Sequence, residues 1–282
     1  MKADPVLVQL DGVSYTYPQA SAPAVDQVTL EAGAGTVTCL MGVNGCGKST
    51  LIDCILGENS LTSGQILLDG TDISTLRPSA LARKVSYVPQ VHERAFPYLV
   101  RDVVLMGRTP YQGILGSSSD ADQEIVDRAL RLCRIERLAD RPYTQLSGGE
   151  MQMVLLARAL AQQTSFILMD EPTAHLDFRN ELSFMETVVQ LVRNQGVGVF
   201  IATHSPNQAF FFEWSGVPTV CTLMSAGRVY QTGAPSQVLT SENLHDLYGV
   251  HARIVSTPTS TGRPLNQILL ISTEECSHDQ KR

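Results

Sequence analysis

The sequence predicts an α/β fold, and three stretches carry that prediction. The first is GVNGCGKST at 42–50, a glycine-rich turn between an apolar strand-like run, TVTCLM at 36–41, and a helix-like run, TLIDCIL at 50–56. The second is SFILMDEP at 165–172, a short apolar strand that stops at two carboxylates. The third is GVGVFIATH at 196–204, read as a further buried strand ending in His204. Short apolar runs alternating with helical periodicity are what a parallel sheet covered by helices on both faces requires. At 282 residues and 43% hydrophobic composition, the chain can bury the core of one large domain or two.

Composition narrows the class. No run approaches the roughly 18–20 consecutive apolar residues of a membrane span, and MKADPVLVQL lacks the cationic-then-apolar order of a secretory signal, so a cytoplasmic protein is expected. Cys39, Cys46, Cys54, Cys133, Cys221 and Cys276 show neither CxxC pairs nor a disulfide framework, which points to reduced thiols and no structural metal. A net charge of −7 and a pI near 5.4 argue against a nucleic-acid partner, although a local basic patch can hide in an acidic total.

In chain order, residues 6–40 read as short strands: VLVQLDGVSYTY, then VDQVTLEAG, then TVTCLM into the glycine-rich turn. Tyr15 and Tyr17 precede that turn, and an aromatic there either stacks on a base or is half-buried strand packing. The spacing of Gly42, four residues, then Gly47-Lys48-Ser49 fits a phosphate-binding loop. Glycines let backbone N–H groups turn toward phosphate oxygens, the next helix offers its positive end, Lys48 adds a point charge, and the Ser49 hydroxyl can ligate magnesium. A glycine-rich turn that happens to hold a lysine is the competing reading, and the strand-loop-helix context argues against it. TSGQILLDG at 62–70 reads as a strand ending in an Asp-Gly turn, and KVSYVPQ at 84–90 as a strand ending in Gln90.

From 91 to 164 the pattern turns helical, over 100–108, 120–140 and 149–163, which reads as a helical insertion in the α/β core. Within it, Ser147 is a natural N-cap, and Gly148 and Gly149 expose backbone N–H groups at a helix start. That is an ordinary capped helix or a second anion site. The core resumes at 165. Asp170, at the end of a buried strand, is placed to hold magnesium, and Glu171 to polarise a water, unless the pair is a solvated loop. TAHLD at 173–177 turns into the helix FRNELSFMETVVQLVRN, and His204 falls at the same sheet edge as Asp170, either structural or against a γ-phosphate.

The ordered set of an aromatic strand, GVNGCGKST, a strand ending in Gln90, LSGGE, FILMDEP, HLD and a strand ending in His204 resembles the nucleotide-binding subunit of ATP-binding-cassette (ABC) transporters, over about residues 6–250. LSGGE together with the phosphate loop is what makes the resemblance specific. It implies a phosphate-loop NTPase (RecA-like) core with an antiparallel β subdomain at 1–90 and 165–250, an inserted α-helical subdomain at 91–164, and a short C-terminal extension at 251–282. It implies ATP and Mg²⁺ as cofactors. Tyr17 would stack on adenine, with Gly42, Asn44, Gly45, Cys46, Gly47, Lys48, Ser49 and Thr50 around the phosphates. Ser49, Gln90 and Asp170 would serve the metal, and Glu171, His204 and Gln90 the hydrolysis. Ser147, Gly148, Gly149 and Asp177 would reach the nucleotide of a second copy in a head-to-tail homodimer, which accounts for the second anion site. The further partners implied are two transmembrane permease subunits, met near Gln90 and VHERAFPYLVRDVV, and indirectly an extracytoplasmic solute-binding protein. The location implied is the cytoplasmic face of the membrane.

RDVVLMGRTPYQG, LADRPYTQLSGGE, PTAHLDFRN and QTGAPSQVLTSENL look like cassettes of metal-chelate uptake systems for ferric siderophores, haem, cobalamin or oxyanions such as molybdate. A cassette serving an exporter, a soluble ABC-type ATPase acting on nucleic acid or ribosomes, and a phosphate-loop kinase are the competing functions. The last would not explain LSGGE. Glu150 departs from the usual glutamine of LSGGQ and Met151 from a frequent arginine, while AFFFEWSGVP at 209–218 has no account in the family pattern. Phe96 and Tyr98 read either as apolar contacts for a membrane partner or as cover for the chain's own core. Cys46, in the loop at a helix N-terminus, is expected to favour thiolate and to be shielded from alkylation by ATP.

Overall fold

The computed structural model describes residues 6–90, 96–112, 118–174, 176–259 and 262–273. In chain order the elements are β1 (Val6–Tyr15), β2 (Val25–Gly33), β3 (Val37–Gly42), α1 (Lys48–Ile55), β4 (Ser63–Leu68), β5 (Thr71–Asp72), α2 (Pro78–Leu81), β6 (Val85–Val88), α3 (Val100–Leu105), α4 (Asp120–Leu132) and α5 (Gly148–Ala161). They continue as β7 (Phe166–Asp170), α6 (Phe178–Gln195), β8 (Gly198–Ala202), α7 (Pro206–Ser215), β9 (Thr219–Ser225), β10 (Arg228–Gly233), α8 (Pro235–Val238), α9 (Ser241–Tyr248), β11 (His251–Thr257) and β12 (Leu265–Ser272).

The central sheet runs β10-β9-β3-β8-β7-β6, parallel from β9 to β6 and closed at one edge by antiparallel β10. Every residue of β3, β7 and β8 is buried, and their side chains alternate between two cores. Val37, Cys39, Met41, Ile167, Met169, Val199 and Ile201 enter the core shared with α3 to α7. Leu40, Phe166, Leu168, Phe200 and Ala202 enter the core shared with α1 and with the antiparallel sheet β2-β1-β4-β5. Covering both faces is why these runs show no polar alternation in the sequence. The helices α3, α4 and α5 pack on one another, and their apolar faces are continuous with the first of the two cores. Arg108 fastens this region: its Nε is 2.8 Å from Asp122 at the start of α4, and its guanidinium donates to Ala161 O at the end of α5 (3.0 Å). Among the described residues no helix is long and apolar enough to cross a membrane.

The sequence reading holds for most elements and is corrected at three. β6 stops at Val88, so Gln90 stands two residues beyond its strand and does not end it. β8 stops at Ala202, so His204 stands two residues beyond the strand, in the bend that leads to α7. The helix expected over 120–140 ends at Leu132. Arg134 takes the left-handed conformation (φ 58°), and Ile135 and Arg134 N–H bond Leu130 O and Arg131 O (both 3.0 Å). This is a Schellman stop made without the glycine that would have announced it. AFFFEWSGVP, which the family pattern left without an account, has its first residues in α7, with Phe210 and Phe212 in the core. The extension after 250 is a hairpin, β11–β12, that packs on α7 and α9. Trp214 Nε1 donates to Arg263 O (3.2 Å) and Ile268 N–H to Asn207 Oδ1 (2.8 Å), so the aromatic helix is held between the core and the hairpin.

Candidate nucleotide site

The sheet order β3-β8-β7-β6 brings four strand ends side by side, the edge where open parallel sheets collect ligands. β3 delivers the phosphate loop, β8 leads to His204, β7 ends in Asp170 and Glu171, and β6 leads to Gln90.

The loop is shaped by steric necessity. Gly47 has φ 104° and lies so close to strand β2's approach that a Cβ would sit 2.3 Å from Ala24 O. At Gly42 a Cβ would sit 2.3 Å from Met224 O. No side chain caps α1, so its first N–H groups remain for an acceptor from outside. Lys48 Nζ folds over its own loop, donating to Gly42 O (2.8 Å) and Val43 O (3.3 Å). Asn44, Gly45 and Ser49 are exposed at the crest, and Thr50 is buried with its hydroxyl 3.0 Å from that of Tyr17. Tyr17 stands half exposed and edge-on to Tyr15 (5.0 Å, 82°), and Tyr15 does the packing against the core while the Tyr17 ring projects at the mouth of the loop.

Cys46 behaves otherwise than its position suggested. It is 2% exposed, and burial pushes its thiol up despite the opposing pull of Lys48. Desolvation therefore outweighs the helix end, and a reactive thiolate is not what this loop holds.

Asp170 is buried, and that burial raises its carboxyl above the ordinary range, with Glu171 adding to the shift while Ser49 and Lys48 draw it back. One of its oxygens, Oδ1, is buried without a hydrogen-bond partner in the protein. An orphaned carboxylate oxygen beside a serine hydroxyl is a donor set suited to a hard cation such as Mg²⁺, so these residues fit the metal that the resemblance implies.

Glu171 is held in the left-handed region at φ 42°, with its N–H bonded to Ala202 O (2.9 Å). A non-glycine residue there carries roughly 1–3 kcal/mol of strain, and such strain concentrates where geometry matters more than stability. The consequence is convergence on a single atom: Glu171 Oε2 accepts from Gln90 Nε2 (2.9 Å) and lies 3.4 Å from His204 Nδ1.

Ser147, Gly149 and Asp177 are brought together, but elsewhere. Ser147 and Asp177 line a cleft of about 770 Å³ to which no residue of the phosphate loop contributes. Glu150, the departure from glutamine, completes a capping box: Glu150 N–H donates to Ser147 Oγ (3.2 Å), and Ser147 N–H donates to Glu150 Oε2 (3.1 Å). Asp177 caps α6 by accepting from Asn180 N–H (2.8 Å), and the Asn180 amide leans on Gly149, where a Cβ would sit 2.4 Å from its Nδ2. Sequence reasoning missed Asn180, and it missed Gln208, a buried amide in the first turn of α7. The sole signal for Gln208 was a polar residue heading an apolar run.

A phosphate loop after β3 and an all-oxygen cation niche at the end of β7, with a carboxylate poised beside them, place the protein among the phosphate-loop nucleoside triphosphatases. Residues 25–174 match the sequence profile of the family described as ABC transporter. The hemin import ATP-binding protein HmuV of Bordetella parapertussis is 36% identical over 264 residues, 91% of this chain and 98% of that protein. Among solved structures, an inward-facing ABC transporter assigned to the metal-chelate type matches with a TM-score of 0.82 at 27% identity, over 95% of this chain and 98% of that one. The dimeric ATP-binding cassette MJ0796, in a post-hydrolysis state with ADP and phosphate, matches with a TM-score of 0.69 at 28% identity, over 81% of this chain and 99% of that one. The chain belongs to the ABC transporter family, as an ATP-binding cassette that hydrolyses ATP.

Proposed function

We propose that this cassette drives uptake of a metal chelate, with haem the first candidate ahead of ferric siderophores, cobalamin and molybdate. The observation that carries the reading is near-full-length similarity to a hemin import ATP-binding protein. In this reading two copies close head to tail on two ATP molecules, and each nucleotide lies between the phosphate loop of one and Ser147 to Gly149 and Asp177 of the other. The separation of Ser147 and Asp177 from the loop within one chain supports that division.

The proposed roles follow the geometry. Tyr17 stacks on the adenine, and Gly42 to Thr50 cradle the phosphates through backbone N–H groups and the Lys48 ammonium. Ser49, Asp170 and Gln90 would hold Mg²⁺, which would supply charge to offset that developing on the phosphate oxygens. Glu171 takes the proton of the attacking water, and His204 steadies the γ-phosphate.

Coupling to the membrane needs a surface, and one borders β6, the strand that leads to Gln90. A groove of about 1020 Å³ runs between β4, α2 and residues 106–110, with Leu61, Ile73, Leu76, Met106 and Pro110 among its walls. Phe96 and Tyr98, 62% and 48% exposed, pack on each other (5.8 Å between ring centroids), and that exposure supports a partner contact over cover for the chain's own core. The permease is proposed to seat there, which would hold the cassette at the cytoplasmic face; residues 91–95 of the expected contact segment lie outside the described residues.

The test is reconstitution. The cassette is co-purified with a polytopic membrane protein encoded beside it, placed in vesicles, and assayed for ATP-driven movement of hemin, a ferric siderophore, cobalamin and molybdate. Uptake of one of them supports the reading. Efflux of the solute, or copurification with ribosomes or DNA in place of a membrane protein, would overturn it.

A further inference from the structure

Gln208 sits in the first turn of α7, 3% exposed, and its amide joins three separate turns of the chain. Its Oε1 accepts from the Thr203 hydroxyl (2.9 Å), next to His204. Its Nε2 donates to the Thr173 hydroxyl, two residues beyond Glu171, and to Glu181 Oε1 (2.8 Å), in the first turn of the helix that Asp177 caps. Both amide hydrogens and the carbonyl are thus engaged, and the bond to Glu181 is charge-assisted.

The backbone already joins two of these segments, through Glu171 N–H to Ala202 O (2.9 Å) and the pairing of Asp170 with Ala202 in the sheet. Thr203 Oγ1 also accepts from Ser205 N–H (3.0 Å), and Thr203 N–H bonds Leu40 O (3.0 Å) on the strand that delivers the phosphate loop. The Glu171 side extends through Ala174 N–H to Glu171 O (3.2 Å) and Leu176 N–H to Thr173 O (3.1 Å). The Glu181 side extends through Glu181 N–H to Asp177 O (2.9 Å). Without the Gln208 amide, no side-chain hydrogen bond among those described links the Thr203 turn to the Thr173 turn or to α6.

The orientation of the amide is chemically forced. Thr203 Oγ1, which accepts from Ser205 N–H, can donate its proton to the Gln208 oxygen. Glu181 is acceptor-only when ionised, so Nε2 must face it. A single planar group therefore bonds to all three turns at once, above the backbone bond that joins Glu171 to Ala202.

We propose that Gln208 is a positioning residue for ATP hydrolysis, holding the His204 turn against the Glu171 turn and tying both to the Asp177 helix. It touches no substrate. The role rests on the reading of Glu171 and His204 given above.

The experiment compares steady-state ATP hydrolysis by full-length wild type, Gln208→Leu, Gln208→Glu, Glu181→Gln, the double variant Gln208→Glu/Glu181→Gln, and Glu171→Gln, with folding checked by circular dichroism and melting. Gln208→Leu and Gln208→Glu should lower kcat about 10- to 100-fold, the scale of a misplacement near one ångström. KM for ATP should stay within about twofold, because the phosphate loop is untouched. The double variant exchanges amide and carboxylate across the same contact, so the carboxylate placed at position 208 can accept from the Thr173 hydroxyl and from the amide placed at position 181; it should return kcat to within about threefold of wild type. Because it is judged on recovery, this arm stands even if Gln208→Leu fails to fold. Wild-type kcat for Gln208→Leu beside an inactive Glu171→Gln overturns the positioning role alone, as does a folded double variant no faster than Gln208→Glu. A fully active Glu171→Gln overturns the assignment of the base and with it the role of Gln208.

Discussion

Glu171→Gln is the perturbation that bears most directly on the proposed chemistry. Glutamine keeps the shape and an acceptor oxygen, so the bond from Gln90 Nε2, now 2.9 Å, can persist, and the φ of 42° is set by backbone bonds that the substitution leaves alone. What disappears is basicity. A positioned general base contributes about 10²- to 10⁴-fold, or roughly 3–5 kcal/mol of barrier. Hydrolysis measured as phosphate release at saturating ATP should therefore fall at least about 100-fold. ATP affinity, measured by equilibrium dialysis, should stay within about threefold, since no phosphate-loop contact is removed. The bound nucleotide then has no exit by chemistry, and the variant should elute with ATP as a dimer where wild type elutes as a monomer. A hydrolysis rate within about tenfold of wild type would refute the assignment, because loss of a true base cannot be so mild.

Ser147→Arg should abolish hydrolysis while leaving ATP binding to the monomer unchanged, at the further cost of the α5 cap, about 1 kcal/mol; unimpaired turnover would refute the site shared between two copies. Arg108→Met should destabilise the fold by about 3 kcal/mol in urea titration, since it strips a buried ion pair but leaves Asp122 its Ser119 partners; a loss under about 1 kcal/mol would show the pair to be dispensable. The hydrogen bond from Arg108 lowers the Asp122 carboxyl below its ordinary value, so the stability it contributes is present above the unfolded pKa of about 3.9 and is lost as pH falls through the lower folded value. The gap between wild type and Arg108→Met should accordingly narrow below that range. Cys46, buried and with its thiol pushed up, should react slowly with iodoacetamide at neutral pH whether or not ATP is present; rapid labelling that ATP blocks would restore the thiolate reading.

What the sequence made legible was local. The phosphate loop, the cap at Ser147 and the carboxylates after β7 are contiguous motifs whose chemistry sits in a few neighbouring residues. The apolar runs of β3, β7 and β8 could be read as buried strands because a two-faced sheet leaves no polar alternation to confuse them. What stayed hidden depended on partners distant in the chain. Arg134 ends α4 in a conformation that glycine normally signals, and the aromatic stretch of α7 is explained by the core that takes Phe210 and Phe212 and by the β11–β12 hairpin that Trp214 reaches through Arg263. Cys46 was misjudged for the same reason: the helix end beside it is written in the sequence, and the burial that outweighs it is not.

The single oxygen at the centre of the site also orders events. Glu171 Oε2 receives two contacts of unequal strength, a 2.9 Å hydrogen bond from Gln90 and a 3.4 Å approach from His204, whose side chain is 56% exposed. The longer and wetter contact is the cheaper one to break. In the proposed reading, a γ-phosphate oxygen that took up His204 would free one side of the carboxylate for a water while Gln90 still fixed the other. Gln90 stands two residues beyond β6, whose Val85 and Tyr87 line the groove proposed for the permease, so in that reading the contact that persists through nucleotide binding is the one carried by the strand nearest the membrane partner. Motion of that partner would then act on the base directly, through Gln90, and the nucleotide would act on it through His204; one carboxylate reads both.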